Sequence, residues 1–342
     1  MNSQEKIKRW VGRCLLNFCD RFPRTKPLFR NPGLRTRKEW FDRRIVRVQL
    51  PDGQSFKLAS VSENYLSFEL FWRGTQYYEP ITSLVLGELV RPGDTFIDVG
   101  ANVGFYALLL SSVQPQCNVI AFEPNPKNYR LLRANVAANH LGRVTCEPLA
   151  LSDADGPALL HLSASDMSAS LHPDFDFHPT KTVEVPATTL DSYLARTQIQ
   201  GPLVIKVDAE GHEESVLAGA RRTLTSFHPD IITEVVLNYS QEAIALLREA
   251  GYRFYPITDQ GLVESEALAP VVRDRLVFLN YLLSTRSPGE IAALFHRIEA
   301  AVSRIDLTQT SKYLGSLSLR QFKARQAAAR PQTHPDLADW PD

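Results

Sequence analysis

Residues 95–106 read Thr95-Phe96-Ile97-Asp98-Val99-Gly100-Ala101-Asn102-Val103-Gly104-Phe105-Tyr106. A short run of large apolar residues, too short for a helix, breaks into a glycine-bearing loop, and a helical pattern follows at once. Such a run predicts a strand buried on both faces, and the glycines allow a tight turn and close backbone approach to a ligand. The helix start presents unpaired N–H groups to an anion or polar ligand. Working outward, further strand-sized apolar runs occur at Val119–Phe122, Val144–Leu149, Leu203–Val207 and Ile231–Val236. Helical patterns such as Tyr129–Asn139 and Glu213–Leu224 separate them. This alternation predicts an α/β fold, a mostly parallel seven-stranded Rossmann-like sheet with helices on both faces. Tyr252–Ile257 and Leu276–Leu283 are expected to close it as antiparallel strands.

The flanks differ in kind. Ile45–Leu50, Pro51-Asp52-Gly53 and Ser55–Ala59 predict a β-hairpin around an Asp-Gly turn. Ser287-Pro288-Gly289-Glu290 has capping-box spacing and opens an amphipathic helix expected to lie outside the core. Residues after Arg330 read as a disordered tail. The division is therefore 1–44, a basic amphipathic helix and linker; 45–285, the α/β domain with its hairpin; and 286–342, a helical extension and tail.

The chain of 342 residues carries 38 basic and 38 acidic groups, but their distribution is uneven. Residues 1–47 hold 14 Lys and Arg against 4 Asp and Glu, leaving 24 against 34 for the rest. An acidic body repels nucleic-acid phosphates and argues against such a partner. The basic segment, with Ile7, Trp10, Val11, Cys14, Leu15 and Phe18 on one stripe, suits an anionic membrane surface, an assembly partner or packing on its own domain. No apolar run reaches the ~18 residues of a membrane span, and no signal-peptide pattern opens the chain. Four cysteines without a C-x-x-C pattern support neither a disulfide framework nor a zinc site. A cytoplasmic protein, peripheral at most on the inner membrane face, is the expectation.

The strand ends carry the chemistry. Glu123 ends the second strand 25 residues after Asp98, where a carboxylate accepts both hydroxyls of a ribose. The loop is D-x-G-x-x-x-G and not the G-x-G-x-x-G of NAD proteins. Asp98 at its entrance suits an ammonium group, which S-adenosylmethionine has and NAD lacks. The densest polar cluster is Lys206-Val207-Asp208-Ala209-Glu210-Gly211-His212-Glu213. Period two puts Lys206, Asp208 and Glu210 on one side of the strand as it leaves the sheet. Crowded carboxylates beside a lysine have shifted pKa values and are functional candidates. For Lys206 the stronger reading is an ion pair bracing the strand end, and for His212 a structural role at a helix start. Glu234, inside an apolar strand, needs a partner or a role.

Asp98–Gly104 with Phe105-Tyr106, Ala121-Phe122-Glu123-Pro124-Asn125-Pro126, Thr189-Leu190-Asp191 and Ile205–Glu213 together resemble the FkbM family of S-adenosylmethionine-dependent methyltransferases. Gly74, Tyr78-Glu79-Pro80 and Gly251-Tyr252 extend the resemblance over about residues 45–285. It implies a class I methyltransferase sheet and O-methylation of a hydroxyl on a sugar, a glycolipid or a secondary metabolite. It also implies that Asp98, Gly100, Ala101, Asn102, Gly104 and Tyr106 hold the methionine end. Glu123, with Pro124 and Asn125 beside it, would take the ribose. Ala150 and Asp153 would border the adenine, while Tyr78 and Glu79 would close the pocket. Asp208 or Glu210 would then accept the acceptor's proton, with Glu234 and Lys206 shaping that wall and no metal required. An NAD-dependent oxidoreductase and a non-catalytic S-adenosylmethionine-binding module are the rival readings. Acceptor identity and oligomeric state have no sequence signal, although residues 60–80, the Ser163–Thr180 loop and the C-terminal helices are expected to bind the acceptor.

Overall fold

The computed structural model describes residues 45–59, 61, 63–162, 169–171, 180–199, 201–235, 239–273, 276–305 and 317–318. The basic helix and linker expected over 1–44, and the tail after Arg330, lie outside the described residues. The chain opens with strands β1 (Ile45–Gln49) and β2 (Ser55–Ala59), paired antiparallel from Ile45↔Ala59 to Gln49↔Ser55. Val46, Val48, Phe56 and Leu58 alternate inward as period two requires. Helices α1 (Tyr65–Arg73) and α2 (Pro80–Leu89) follow.

The central sheet takes its strands from β3 (Thr95–Val99), β4 (Asn118–Phe122), β5 (Val144–Glu147), β10 (Leu203–Val207), β11 (Asp230–Glu234), β12 (Arg253–Pro256) and β15 (Asn280–Ser284). Their order is β12-β15-β11-β10-β3-β4-β5, with β15 antiparallel to both neighbours and the other six parallel to each other. Every residue of β3, β10 and β11 is buried, as continuous apolar runs in a doubly covered sheet should be. The chain moves outward from β3 through β4 to β5, then returns to the other side of β3 as β10. Between β3 and β10 the topology switches direction, and open α/β sheets bind ligands outside the carboxyl ends at such a point.

Four expectations need correction. Leu276–Leu283 is not one strand: Leu276–Phe278 pairs antiparallel with Val271–Arg273 in a separate small sheet, and only Asn280–Ser284 (β15) joins the central one. The third strand ends at Glu147, and Ala150–Leu151 (β6) leaves the sheet to pair with β9 (Lys181–Thr188). There it joins β7 (Gly156–Leu162) and β8 (Ala169–Ser170) in a separate four-stranded sheet. The helix expected over Glu213–Leu224 is two helices, α6 (Glu213–Ala218) and α7 (Arg221–Phe227). They break at Gly219, where a Cβ would stand 2.0 Å from the carbonyl oxygen of Ser152. Helix α9 (Pro288–Val302) forms with its capping box but does not lie outside the core. Its Ile291, Leu294, Ile298 and Val302 are buried in the same cluster as Val85, Leu86 and Leu89 of α2. No described helix is long and apolar enough to cross a membrane.

Candidate active site

Local sequence fixes the strand-end geometry. The loop after β3 has positive φ at Gly100, Asn102 and Gly104. A Cβ on Gly100 would stand 1.9 Å from the carbonyl oxygen of Asp208, and one on Gly104 would stand 2.5 Å from the Leu132 side chain. These glycines thus admit neighbouring protein, and only Gly100 also lines the cavity. The Asn102 N–H is not offered to a ligand, because it donates to Glu123 Oε2 at 2.7 Å. Asn125 N–H donates to Glu123 Oε1 at 2.8 Å, so the carboxylate is clamped between two loops. Burial raises the Glu123 pKa to about 7 against these donors. Asn64, the N-cap of α1 (Tyr65–Arg73), donates through Nδ2 to Asn102 Oδ1 and fixes that side chain.

Lys206 and Asp98 are register partners across the switch between β10 and β3. Both are 1% exposed. Lys206 Nζ donates to Asp208 Oδ2 at 2.6 Å, lies 4.0 Å from Glu79 Oε2 and sits 4.9 Å from the Tyr106 ring centroid. Burial by itself lowers the Lys206 pKa, but Asp208 and Glu79 outweigh it and leave the group firmly cationic. Burial lifts Asp98 to about 7 and drives Glu234 well upward, the latter reinforced by Asp208 and Glu210. One oxygen of Asp98, Oδ2, is buried without a hydrogen-bond partner among the described residues.

A cavity opens at these strand ends. Of the residues expected at the site, Gly100, Asn102, Glu123, Pro124, Ala150, Asp208 and Glu210 line it. Asp98, Lys206 and Glu234 stand behind this lining as a buried charged layer. Ala101, Gly104 and Tyr106 are packed into the core. The Asn125 side chain caps helix α4 (Pro126–Ala138), and Asp153 is exposed, accepting from Ser152 Oγ at 3.0 Å. Tyr78 lines the cavity as expected, whereas Glu79 turns inward to Tyr106 and Lys206. Glu210 has left the strand period, with φ 52 and its carbonyl accepting from Ser170 Oγ at 2.6 Å.

Sequence reasoning missed several residues. Leu160 of β7 reaches the cavity because the inserted sheet folds back over it, and the same fold-back brings Ala169 of β8, which lies in the Ser163–Thr180 loop where acceptor contacts are expected. No motif announces that fold-back. Glu213, quoted only as part of a motif, receives the N–H groups of Ala209 and Gly211 and holds the 209–213 turn in shape. His212 Nε2 lies 2.9 Å from Ser152 Oγ and lines the cavity. Among the described residues no cluster of His, Cys, Asp and Glu has the arrangement of a metal site.

Residues 98–254 match the family model described as the methyltransferase FkbM domain. The chain is 27% identical over 239 residues to the 31-O-demethyl-FK506 methyltransferase FkbM of Streptomyces tacrolimicus, covering 61% of this chain and 89% of that protein. It is 30% identical over 171 residues to the hexuronic acid methyltransferase AglP of Haloferax volcanii, covering 50% of this chain and 66% of that protein. The crystal structure of methyltransferase FkbM from Methylobacillus flagellatus KT superposes with a TM-score of 0.39 at 18% identity, covering 66% of this chain and about half, 52%, of that one.

Proposed function

We propose, from the premise that the chain belongs to the FkbM methyltransferase family, that it is an S-adenosylmethionine-dependent O-methyltransferase. The reading rests on one observation: a single cavity at the topological switch is lined by both Glu123 and Asp208. The residues present fit this cofactor. Asp98 does not reach the cavity, but its carboxylate, with Oδ2 unpartnered, adds negative charge directly behind the lining, which favours a cationic ligand. Glu123 is pre-oriented by two backbone donors and keeps lone pairs for ribose hydroxyls. Leu149, Leu151 and Leu160 offer an apolar wall to a purine.

When bound, S-adenosylmethionine supplies a methyl group on a positively charged sulfur, the electrophile of an in-line displacement by the acceptor oxygen. The chain's own work is to hold the acceptor, exclude water and take one proton. Asp208, paired to Lys206 and reaching the cavity, takes that proton, with Glu210 beside it. Alignment contributes on the order of 7–11 kcal/mol, whereas a general base gives ~10²–10⁴-fold, so loss of the base leaves residual turnover. The acceptor class is a hydroxyl-bearing sugar, glycolipid or secondary metabolite. This is in line with relatives whose names specify a 31-O position and a hexuronic acid.

The test is incubation with methyl-labelled S-adenosylmethionine and fractionated glycans, lipids and small metabolites, with mass spectrometry of the products. Label in an O-methyl product, lost ~10²-fold or more in Asp208→Asn combined with Glu210→Gln, is expected. Label on nitrogen or carbon, or turnover unchanged in the double variant, would contradict the assignment.

A further inference from the structure

Tyr78 is the polar side chain of the lining that the methyl-transfer chemistry leaves unused. It is 6% exposed and lines the cavity, yet its hydroxyl forms no hydrogen bond among the described residues. Its ring packs against Phe105 and Tyr106, with centroids 5.1 and 6.2 Å away, and these contacts hold the hydroxyl in place. Burial, reinforced by Glu79 and Asp208, keeps the phenol pKa well above its ordinary value, so the group stays a neutral O–H that both donates and accepts. A buried polar group without a partner is costly, and one at a ligand cavity calls for a ligand atom. The charge of the same wall narrows what that ligand is. Asp208 and Glu210 line the cavity, and among the described residues no Lys or Arg does. Lys206 is buried behind the lining and paired to Asp208 at 2.6 Å. His212 is held against Ser152. The chain between Leu162 and Lys181 puts Ala169 and Leu171 into the lining, and its sequence has three aspartates but neither lysine nor arginine. A carboxylate or phosphate on the acceptor would therefore meet carboxylates with no counter-charge. An ammonium there would share the wall with the sulfonium of the proposed cofactor, like charge beside like charge.

We propose that the acceptor is an uncharged polyol, a neutral sugar or glycoside, and that the Tyr78 hydroxyl binds the oxygen neighbouring the one that is methylated. The inference rests on the methyltransferase reading of the same cavity. Sugar hydroxyls donate and accept at one atom, which suits the Tyr78 hydroxyl and the Asp208 and Glu210 carboxylates together. One hydroxyl gives its proton to Asp208 as described above, and its neighbour pairs with Tyr78. Discrimination against acidic acceptors then comes from the carboxylates of the wall, and orientation of the accepted ones from Tyr78.

The test has two arms, both on the full chain. Glycans, lipids and small metabolites are split by ion exchange at pH 7 into neutral, anionic and cationic pools, and each pool is incubated with methyl-labelled S-adenosylmethionine. Label chiefly in the neutral pool is expected. Label chiefly in the anionic pool, with its uronic acids and phosphorylated sugars, or in the cationic pool would overturn the inference and leave the methyltransferase reading intact. No label in any pool would overturn that reading and the inference with it. In the second arm the neutral compound that gains label is titrated calorimetrically, unmethylated, into the S-adenosylhomocysteine complexes of wild type and Tyr78→Phe. Binding roughly 3- to 10-fold weaker in the variant is expected, with the loss falling on the acceptor rather than on S-adenosylhomocysteine. A deoxy analogue lacking the neighbouring hydroxyl should bind wild type as weakly as the parent binds the variant, and it serves alone if Tyr78→Phe does not fold. Equal binding of parent and deoxy analogue to wild type, equal acceptor affinity in both proteins, or the parallel loss of both affinities that a structural role would give, would overturn the inference.

Discussion

Glu123, Asp98 and Glu213 are each raised to about 7, in every case chiefly by burial. Each group binds its proton more tightly folded than unfolded, where carboxylates titrate near 4. Between about pH 4 and 7 the folded chain therefore holds more protons, and by linkage its stability falls as pH rises. The ligand-free protein should melt at progressively lower temperature from pH 5.5 to 8, and Glu123→Gln should flatten the slope. A melting temperature rising over this window in wild type would contradict the burial argument. Glu123 was legible from the sequence because an acid directly after a buried strand has one place to go. The approach of Glu79 to Lys206 was not legible, because Lys206 lies 127 positions along the chain and only the tertiary fold brings the two together. Gly100 lines the cavity as expected, but a positive-φ glycine does not reveal its second close neighbour, the Asp208 carbonyl.

At the scale of elements, the inserted sheet and helices α6 and α7 hold the polar strand end of β10 in place. The Thr189-Leu190-Asp191 stretch serves this purpose. Thr189 Oγ1 caps helix α5 (Leu190–Arg196), accepting from the Ser192 N–H. Asp191 accepts the N–H groups of Arg222 and Thr223 and the Thr223 hydroxyl, capping α7 from another helix. Asp191→Ala should cost about 1–2 kcal/mol, as loss of an N-cap does. Chemical denaturation should show this with cofactor affinity little changed, and a large loss of affinity without a loss of stability would contradict the architectural role. Strand positions were legible because fully buried parallel strands leave unbroken apolar runs, and β3 and β10 match their expected limits residue for residue. The break at Gly219 was not, because both halves keep a helical pattern and the cause is the Ser152 backbone crossing close by. The departure of Ala150–Leu151 to a second sheet was hidden for a similar reason, since the pairing partner lies at 187–188.

For the whole molecule, the uneven charge of the sequence divides into two kinds of acid. Some carboxylates are ordinary surface groups. Others, among them Asp98, Glu79, Glu123 and Glu234, are buried at the strand ends, with Asp98 and Glu79 close to the buried Lys206. A buried excess of negative charge is costly unless a cation is bound there, and the positive sulfonium and ammonium of the proposed cofactor would relieve it. The elements outside the matched residues 98–254 take part in this arrangement. Helix α9 packs on α2, which begins two residues after the cavity-lining Tyr78, so α9 braces the N-terminal wall of the site. The most direct measurement is a calorimetric titration of S-adenosylmethionine into the full chain and its Glu123→Gln variant at pH 8. Saturable one-to-one binding in wild type, weakened tenfold or more in the variant, is the predicted result. No binding in wild type, or equal affinity in both proteins, would contradict the assignment of this cavity.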